Sequence, residues 1–323
     1  MTDSTKTTNA YQRMTPKAAF QLMAPHTWIA AIAPVIVGGV LTIGLRDYTP
    51  FDLLGHAWLA TVIGALMLLT AILAQSAANV LNDYYDFKAG TDTKENMVDE
   101  TDAALIYHQV NPKAAKHFAL TCFGAALACG LLVVALAGDW RVLLLGLVGA
   151  AIVLLYSAGP KPISYLPLGE LVSGLVMGGF ITIATYLAMT GHLSIMAVLG
   201  AAVPLITIAM IMQVNNTADI KRDSEAGRRT LPILLGERAS SFMIVSMQVL
   251  ALSFAGFYVF TIAPWGIPAM IAATLLSFRH LKVLKAGPYT TENRTDVVKA
   301  VVAQAVITNL AFVFAILLGA HFV

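Results

Sequence analysis

Charge is scarce in this chain. Asp, Glu, Lys and Arg make up 12% of its 323 residues, while 58% are hydrophobic and the mean hydropathy is +0.75. A soluble domain is about a quarter charged, so the composition excludes a water-soluble globule and predicts an integral membrane protein. Cysteine is almost absent. Cys122 and Cys129 lie too far apart for a CxxC redox pair and share one apolar run, so they read as packing thiols. There is no nucleophile–His–acid arrangement, no P-loop and no dinucleotide glycine pattern. Residues 1–25 are polar and lack the apolar core of a removable signal peptide.

What is present is a set of long apolar runs. Nine stretches free of Asp, Glu, Lys and Arg fall near 27–45, 57–81, 118–137, 142–158, 171–191, 195–215, 239–262, 264–278 and 300–320. Their lengths suit bilayer-crossing helices. They are continuously apolar rather than alternating, which predicts an all-α bundle of about nine transmembrane helices and not a barrel. With the N-terminus inside, eighteen of the twenty Lys and Arg fall on the cytoplasmic side, leaving only Arg46 and Arg141 outside. That pattern explains the basic residues without a nucleic-acid partner. It also places the three long polar loops, near 82–117, 216–238 and 279–299, in the cytoplasm. We expect a polar leader over 1–25 and one transmembrane domain over 26–323. A four-helix internal duplication would leave the ninth span over.

Two of the apolar runs end in similar polar clusters, Asn79-Val80-Leu81-Asn82-Asp83-Tyr84-Tyr85-Asp86 and Asn215-Asn216-Thr217-Ala218-Asp219-Ile220-Lys221-Arg222-Asp223. On a continuing helix, Asn79, Asp83 and Asp86 share one face, as do Asn215, Asp219 and Asp223. Each helix thus offers a stripe of oxygen ligands at the cytoplasmic membrane edge. Carboxylates so placed repel one another unless a cation sits between them. Hard oxygen donors suit Mg²⁺, which is held by one or two carboxylates while substrate phosphate completes its shell. Lys161, Lys221, Arg222, Arg228 and Arg229, on inside loops with the clusters, could neutralise further phosphate oxygens. The pattern predicts a lipid diphosphate as substrate. Carboxylates near the centres of spans would instead mark an ion-coupled transporter, but here the span centres are uncharged.

These residues resemble the UbiA superfamily of intramembrane prenyltransferases, and within it the 1,4-dihydroxy-2-naphthoate polyprenyltransferases of menaquinone biosynthesis. The likeness lies in the run Asn82 to Asp92 and in Asn215-Asn216 through Asp219, Asp223 and Gly227-Arg228-Arg229-Thr230-Leu231. A third stretch, Tyr156 to Pro162 followed by Leu168-Gly169-Glu170, adds to it. The resemblance implies a multi-pass protein of the cell membrane that moves a polyprenyl group from its diphosphate to an aromatic acid. It also implies Mg²⁺ held by Asp83, Asp86, Asp92, Asp219 and Asp223. Asn79, Asn82, Asn215, Lys161, Arg228 and Tyr156 would bind substrate. The implied acceptor is 1,4-dihydroxy-2-naphthoate, with loss of CO₂; 4-hydroxybenzoate and homogentisate are the alternatives. The chain departs from the family pattern at Ala24 and Ala218, where arginine is usual, and at Arg228, where lysine is usual. Elsewhere, Gly174 and Gly178 have the spacing of close helix packing. Gln75 and Gln213 have the setting of interhelical hydrogen bonds, and Tyr84 and Tyr85 that of interfacial aromatics.

Overall fold

The computed structural model describes residues 11–45, 57–90, 104–290 and 292–321. The described residues contain helices and short turns and no β-strand, only a bridge between Gln12 and Val110. The helices are α1 (Pro16–Leu22), α2 (Ile29–Gly44), α3 (Ala57–Ala89), α4 (Ala104–Tyr107), α5 (Pro112–Ala137), α6 (Trp140–Ser157), α7 (Gly169–Ser173) and α8 (Ile181–Thr190). They continue with α9 (Ile195–Gly200), α10 (Ala202–Ala218), α11 (Ile220–Glu225), α12 (Leu231–Leu235), α13 (Glu237–Ile262), α14 (Ile267–Ala286) and α15 (Arg294–His321). A π-helical stretch, Gly174–Phe180, joins α7 to α8 in one span. Among the described residues eight spans are long and apolar enough to cross a membrane, and a bent pair, taken as one span, makes a ninth. The protein is thus an integral membrane, all-α bundle.

The bent pair departs from the straight first span expected over 27–45. α1 opens with Thr15 accepting the Ala18 N–H and with Pro16 at its first position, both ordinary start signals. Ala24 then adopts φ 47° and Pro25 follows. A left-handed residue and a proline interrupt the helical ladder, and residues 16–27 meet 29–44 at 55°. α1 lies inside the expected polar leader, yet its Ala18 and Leu22 are buried with Val80, Leu81 and Leu105. Several spans also run past their apolar stretches, α3 to Ala89 and α14 to Ala286. The helical hydrogen-bond pattern continues into water where tertiary contacts hold it.

Packing sorts the spans into two groups. One apolar core joins α2, α3, α5, α6 and α8 through Ile63, Met67, Val133, Val142 and Leu187. Another joins α2, α8, α13, α14 and α15 through Leu41, Tyr186, Val259, Met270 and Phe312. α2 and α8 belong to both. Lipid offers no hydrophobic drive for helix association, so small residues that allow close approach become important. A Cβ added at Gly178 would lie 2.4 Å from Leu205 Cα and 2.6 Å from the Pro204 carbonyl carbon. The glycine therefore lets the π stretch touch the backbone of α10.

Candidate active site

The two polar clusters sit at the ends of α3 and α10–α11, and the fold brings them together. α11 closes on Gly227, at φ 74°. Its N–H donates to Ser224 O at 3.0 Å, and the Arg228 N–H donates to Asp223 O at 2.9 Å. This is the paired reverse bonding of a glycine-terminated helix, and it turns Arg228 back over its own helix. The Arg228 guanidinium then donates to Asp223 Oδ1 at 3.3 Å and to Asp86 Oδ1 at 2.5 Å. It also lies 5.0 Å above the Tyr165 ring. One side chain thus bridges the two clusters. Asp219 is gripped separately: Arg222 donates to its Oδ2 at 2.8 Å, and Arg294 Nε approaches both oxygens at 3.2 and 3.3 Å.

All four carboxylates are buried, with Asp223 only 1% exposed. Burial pushes the Asp223 carboxyl up to about 6, with Asp219 and Asp86 adding to the rise and Arg228 opposing it. For Arg228, burial alone would lower the pKa, but Asp86 and Asp223 outweigh it and hold the guanidinium charged. Among the described residues, Arg222, Arg228 and Arg294 pair with Asp86, Asp219 and Asp223, while Asp83 accepts the Leu105 N–H at 3.3 Å.

Below the clusters opens a cavity of about 1170 Å³. Asp83, Asp86, Asp219, Arg222, Arg228 and Arg294 line one end. Ala126, Leu131 and Val134 of α5, with Leu143, Leu147 and Val153 of α6, line one apolar wall. Asn82 lies at the wall, donating to Asp86 Oδ2 at 2.9 Å and accepting from Ser157 Oγ at 3.2 Å. Asn79 is tied to the N-terminal segment, donating to Met23 O and Thr27 Oγ1 at 2.9 Å and accepting from Gln75 at 3.2 Å. Asn215 also lines the cavity, and its Oδ1 is buried without a hydrogen-bond partner. Tyr156 lines it too, its hydroxyl 3.4 Å from Met212 Sδ.

One expected site residue stands apart: Lys161 is exposed and does not line the cavity. Asp92 lies outside the described residues. Tyr84 and Tyr85 pack edge to face against each other, away from the cavity lining. Gln213 is fully buried on α10. Sequence reasoning missed Arg294, which comes from the ninth span. It also gave Glu170 no role of its own, although Glu170 accepts the Asn216 amide at 2.7 Å and so holds that side chain at the cavity.

The donors at the mouth are carboxylates and amides, all hard oxygens. Among the described residues no three Asp, Glu, His or Cys side chains stand close enough to share one ion. A cation there would take a pair of protein ligands and leave its other positions open. Such a set fits Mg²⁺ completed by phosphate.

The site thus joins a carboxylate–arginine mouth to an apolar cavity inside a helical membrane bundle. Residues 31–300 match the UbiA prenyltransferase family. The 1,4-dihydroxy-2-naphthoate octaprenyltransferase of Bacillus subtilis is 36% identical over 252 residues, 76% of this chain and 75% of the relative. The octaprenyltransferase of the same name from Escherichia coli is 26% identical over 94% of this chain and 96% of its own. A UbiA homologue from Archaeoglobus fulgidus, solved with DMAPP and Mg²⁺, superposes with a TM-score of 0.61 at 15% identity, over 93% of this chain and 98% of that one. The chain belongs to the UbiA prenyltransferase family and is a multi-pass membrane prenyltransferase.

Proposed function

We propose that this enzyme transfers a polyprenyl group from polyprenyl diphosphate to 1,4-dihydroxy-2-naphthoate, with loss of CO₂, to give demethylmenaquinol. The observation that carries this reading is the joining of Asp86 and Asp223 by Arg228 at the mouth of an apolar cavity. The relatives named for naphthoate octaprenyl transfer support the choice of acceptor. We place the enzyme in the cell membrane with its N-terminus and the aspartate clusters in the cytoplasm, as one transmembrane domain over 26–323 behind the 1–25 leader.

Pairs drawn from Asp83, Asp86, Asp219 and Asp223 would hold Mg²⁺, and the motif assigns Asp92 to the same metal set. Bound there, Mg²⁺ supplies Lewis-acid stabilisation of the departing diphosphate. Arg228 and Arg222 add charge-assisted hydrogen bonds to its oxygens, and Asn82 orients Asp86. Lys161 supplies longer-range positive charge from the loop after α6. The prenyl chain lies along α5 and α6, where the apolar wall keeps water from the allylic cation once its C–O bond has broken. Tyr156 faces the same space, and an aromatic face there stabilises a cation. The electron-rich ring of the acceptor attacks, a C–C bond forms, and the carboxylate leaves as CO₂.

The test uses membranes, a radiolabelled prenyl diphosphate and a panel of aromatic acids that includes 4-hydroxybenzoate and homogentisate. Wild type should prenylate the dihydroxynaphthoate. Asp83→Ala and Asp219→Ala should abolish transfer while inserting normally, and a chelator should do the same to wild type. Near-normal turnover in either variant, or turnover without divalent metal, would overturn the scheme.

A further inference from the structure

We infer that Lys299 binds the carboxylate of the aromatic acceptor in a slot between α15 and α10. This rests on the prenyl-transfer reading and adds the residues that receive its second substrate.

α15 presents Thr295, Lys299, Val302 and Val306 to the cavity, a stripe at helical spacing that is polar near the mouth and apolar beyond. Arg294 sets the level, since its contact with Asp219 puts the start of α15 beside the end of α10. The two helices run antiparallel, with Asn309 donating to Thr207 Oγ1 at 2.8 Å further along. Lys299 lies five residues along α15, about 7.5 Å from Arg294 at 1.5 Å per residue. Asn215 lies four residues before Asp219, about 6 Å along α10. The two therefore share a level one helical turn below the carboxylates.

The chemistry of this level differs from the one above. Lys299 is the only lysine among the described residues lining the cavity, and it makes no ion pair among them. Asn215 lines the cavity at the same level. A cation without a counter-charge beside a neutral amide matches a ligand with an acid group and a hydroxyl. Ile211 and Val302 also line this part of the cavity, which suits a flat ring between the two polar groups. The diphosphate already has Arg222 and Arg228 a turn above, and the α5 and α6 walls carry no charged side chain in the cavity. An anion at Lys299 also lies near the positive end of the α15 dipole.

The probe is 1-hydroxy-2-naphthoate, which carries the acid group and one hydroxyl, titrated against purified enzyme in detergent by thermal shift. Lys299→Gln should weaken its binding by about tenfold or more, the loss expected for one charged hydrogen bond. Lys299→Arg should keep most of the affinity. In turnover, Lys299→Gln should raise KM for the acceptor and leave KM for prenyl diphosphate unchanged. Equal binding of the probe by wild type and Lys299→Gln would overturn the inference, as would an equal rise in KM for the donor. Lys299-dependent binding in an enzyme that prenylates no aromatic acid would uphold this slot and defeat the proposed reaction.

Discussion

Arg228 has its position decided by Gly227 and its charge secured by two aspartates. Its side chain is 10% exposed, as is that of Asp86, while that of Asp223 is 2% exposed. Removing one partner from a buried ion pair leaves its counter-charge stranded, at a cost of about 3–5 kcal/mol. Arg228→Met should therefore lower the melting temperature in EDTA, and Mg²⁺ should recover most of the loss by replacing the missing cation. Thermal unfolding with and without metal checks this, and an unchanged melt in EDTA would remove Arg228 as the bridge. The Asp223 shift adds a pH dependence. Its folded pKa, about 6, is above the ordinary aspartate value of 3.8, so the metal-free folded state binds this proton more tightly than the unfolded chain. Stability from this group is then fully present below about pH 3.8 and is lost as pH rises through about 6. Metal binding needs the carboxylate and should run the opposite way, with Mg²⁺ protecting the protein more at pH 7.5 than at 5.5. The aspartates were legible in the sequence because the first of each pair follows an asparagine by four positions, Asn79 to Asp83 and Asn215 to Asp219. Arg294 was not, because it reaches Asp219 from a span 75 positions later and no local pattern marks it.

At the level of whole helices, continuous apolar runs gave the number of spans, but not where they bend or how closely they cross. The π stretch of Gly174–Phe180 is one such case. Its glycine spacing signalled close packing, whereas a changed hydrogen-bond register leaves no mark in composition. The bend before α2 is another, since it depends on Ala24 adopting a conformation that its side chain does not favour. The crossing at Gly178 can be tested against an internal control. A methyl there would meet the backbone of α10, which cannot rotate aside, and overpacking of this kind costs about 1–3 kcal/mol. At Gly146 on α6 an added Cβ meets nothing within 4 Å. Gly178→Ala should thus melt well below wild type in detergent. Gly146→Ala should match wild type or exceed it slightly, as expected when alanine replaces an unconstrained helical glycine. Equal melting of the two variants would mean that α7, α8 and α10 are not locked at this contact.

The molecule as a whole is polarised. Its carboxylates, its arginine bridges and most of its Lys and Arg lie at one end. At the other end Trp58, Trp140 and Trp265 are all more than half exposed, each at or beside the end of a span, as tryptophans do at a membrane interface. Arg141 is also at that end. It donates to Asp139 at 2.6 Å and to the Gly191 carbonyl at 2.9 Å, so the charge that runs against the basic bias is neutralised locally. These features agree with the proposed orientation, in which the catalytic end faces the cytoplasm and meets the headgroup of the donor. Having only two cysteines makes the orientation measurable. In a background with Cys122→Ala and Cys129→Ala, Leu193→Cys places a thiol on the exposed turn between α8 and α9, and Arg238→Cys places one at the exposed start of α13. A membrane-impermeant maleimide should label Leu193→Cys in intact cells and reach Arg238→Cys only after permeabilisation. The reverse pattern would put the aspartates outside, and the headgroup of a cytoplasmic donor could not then reach Asp86 and Asp223 without crossing the bilayer.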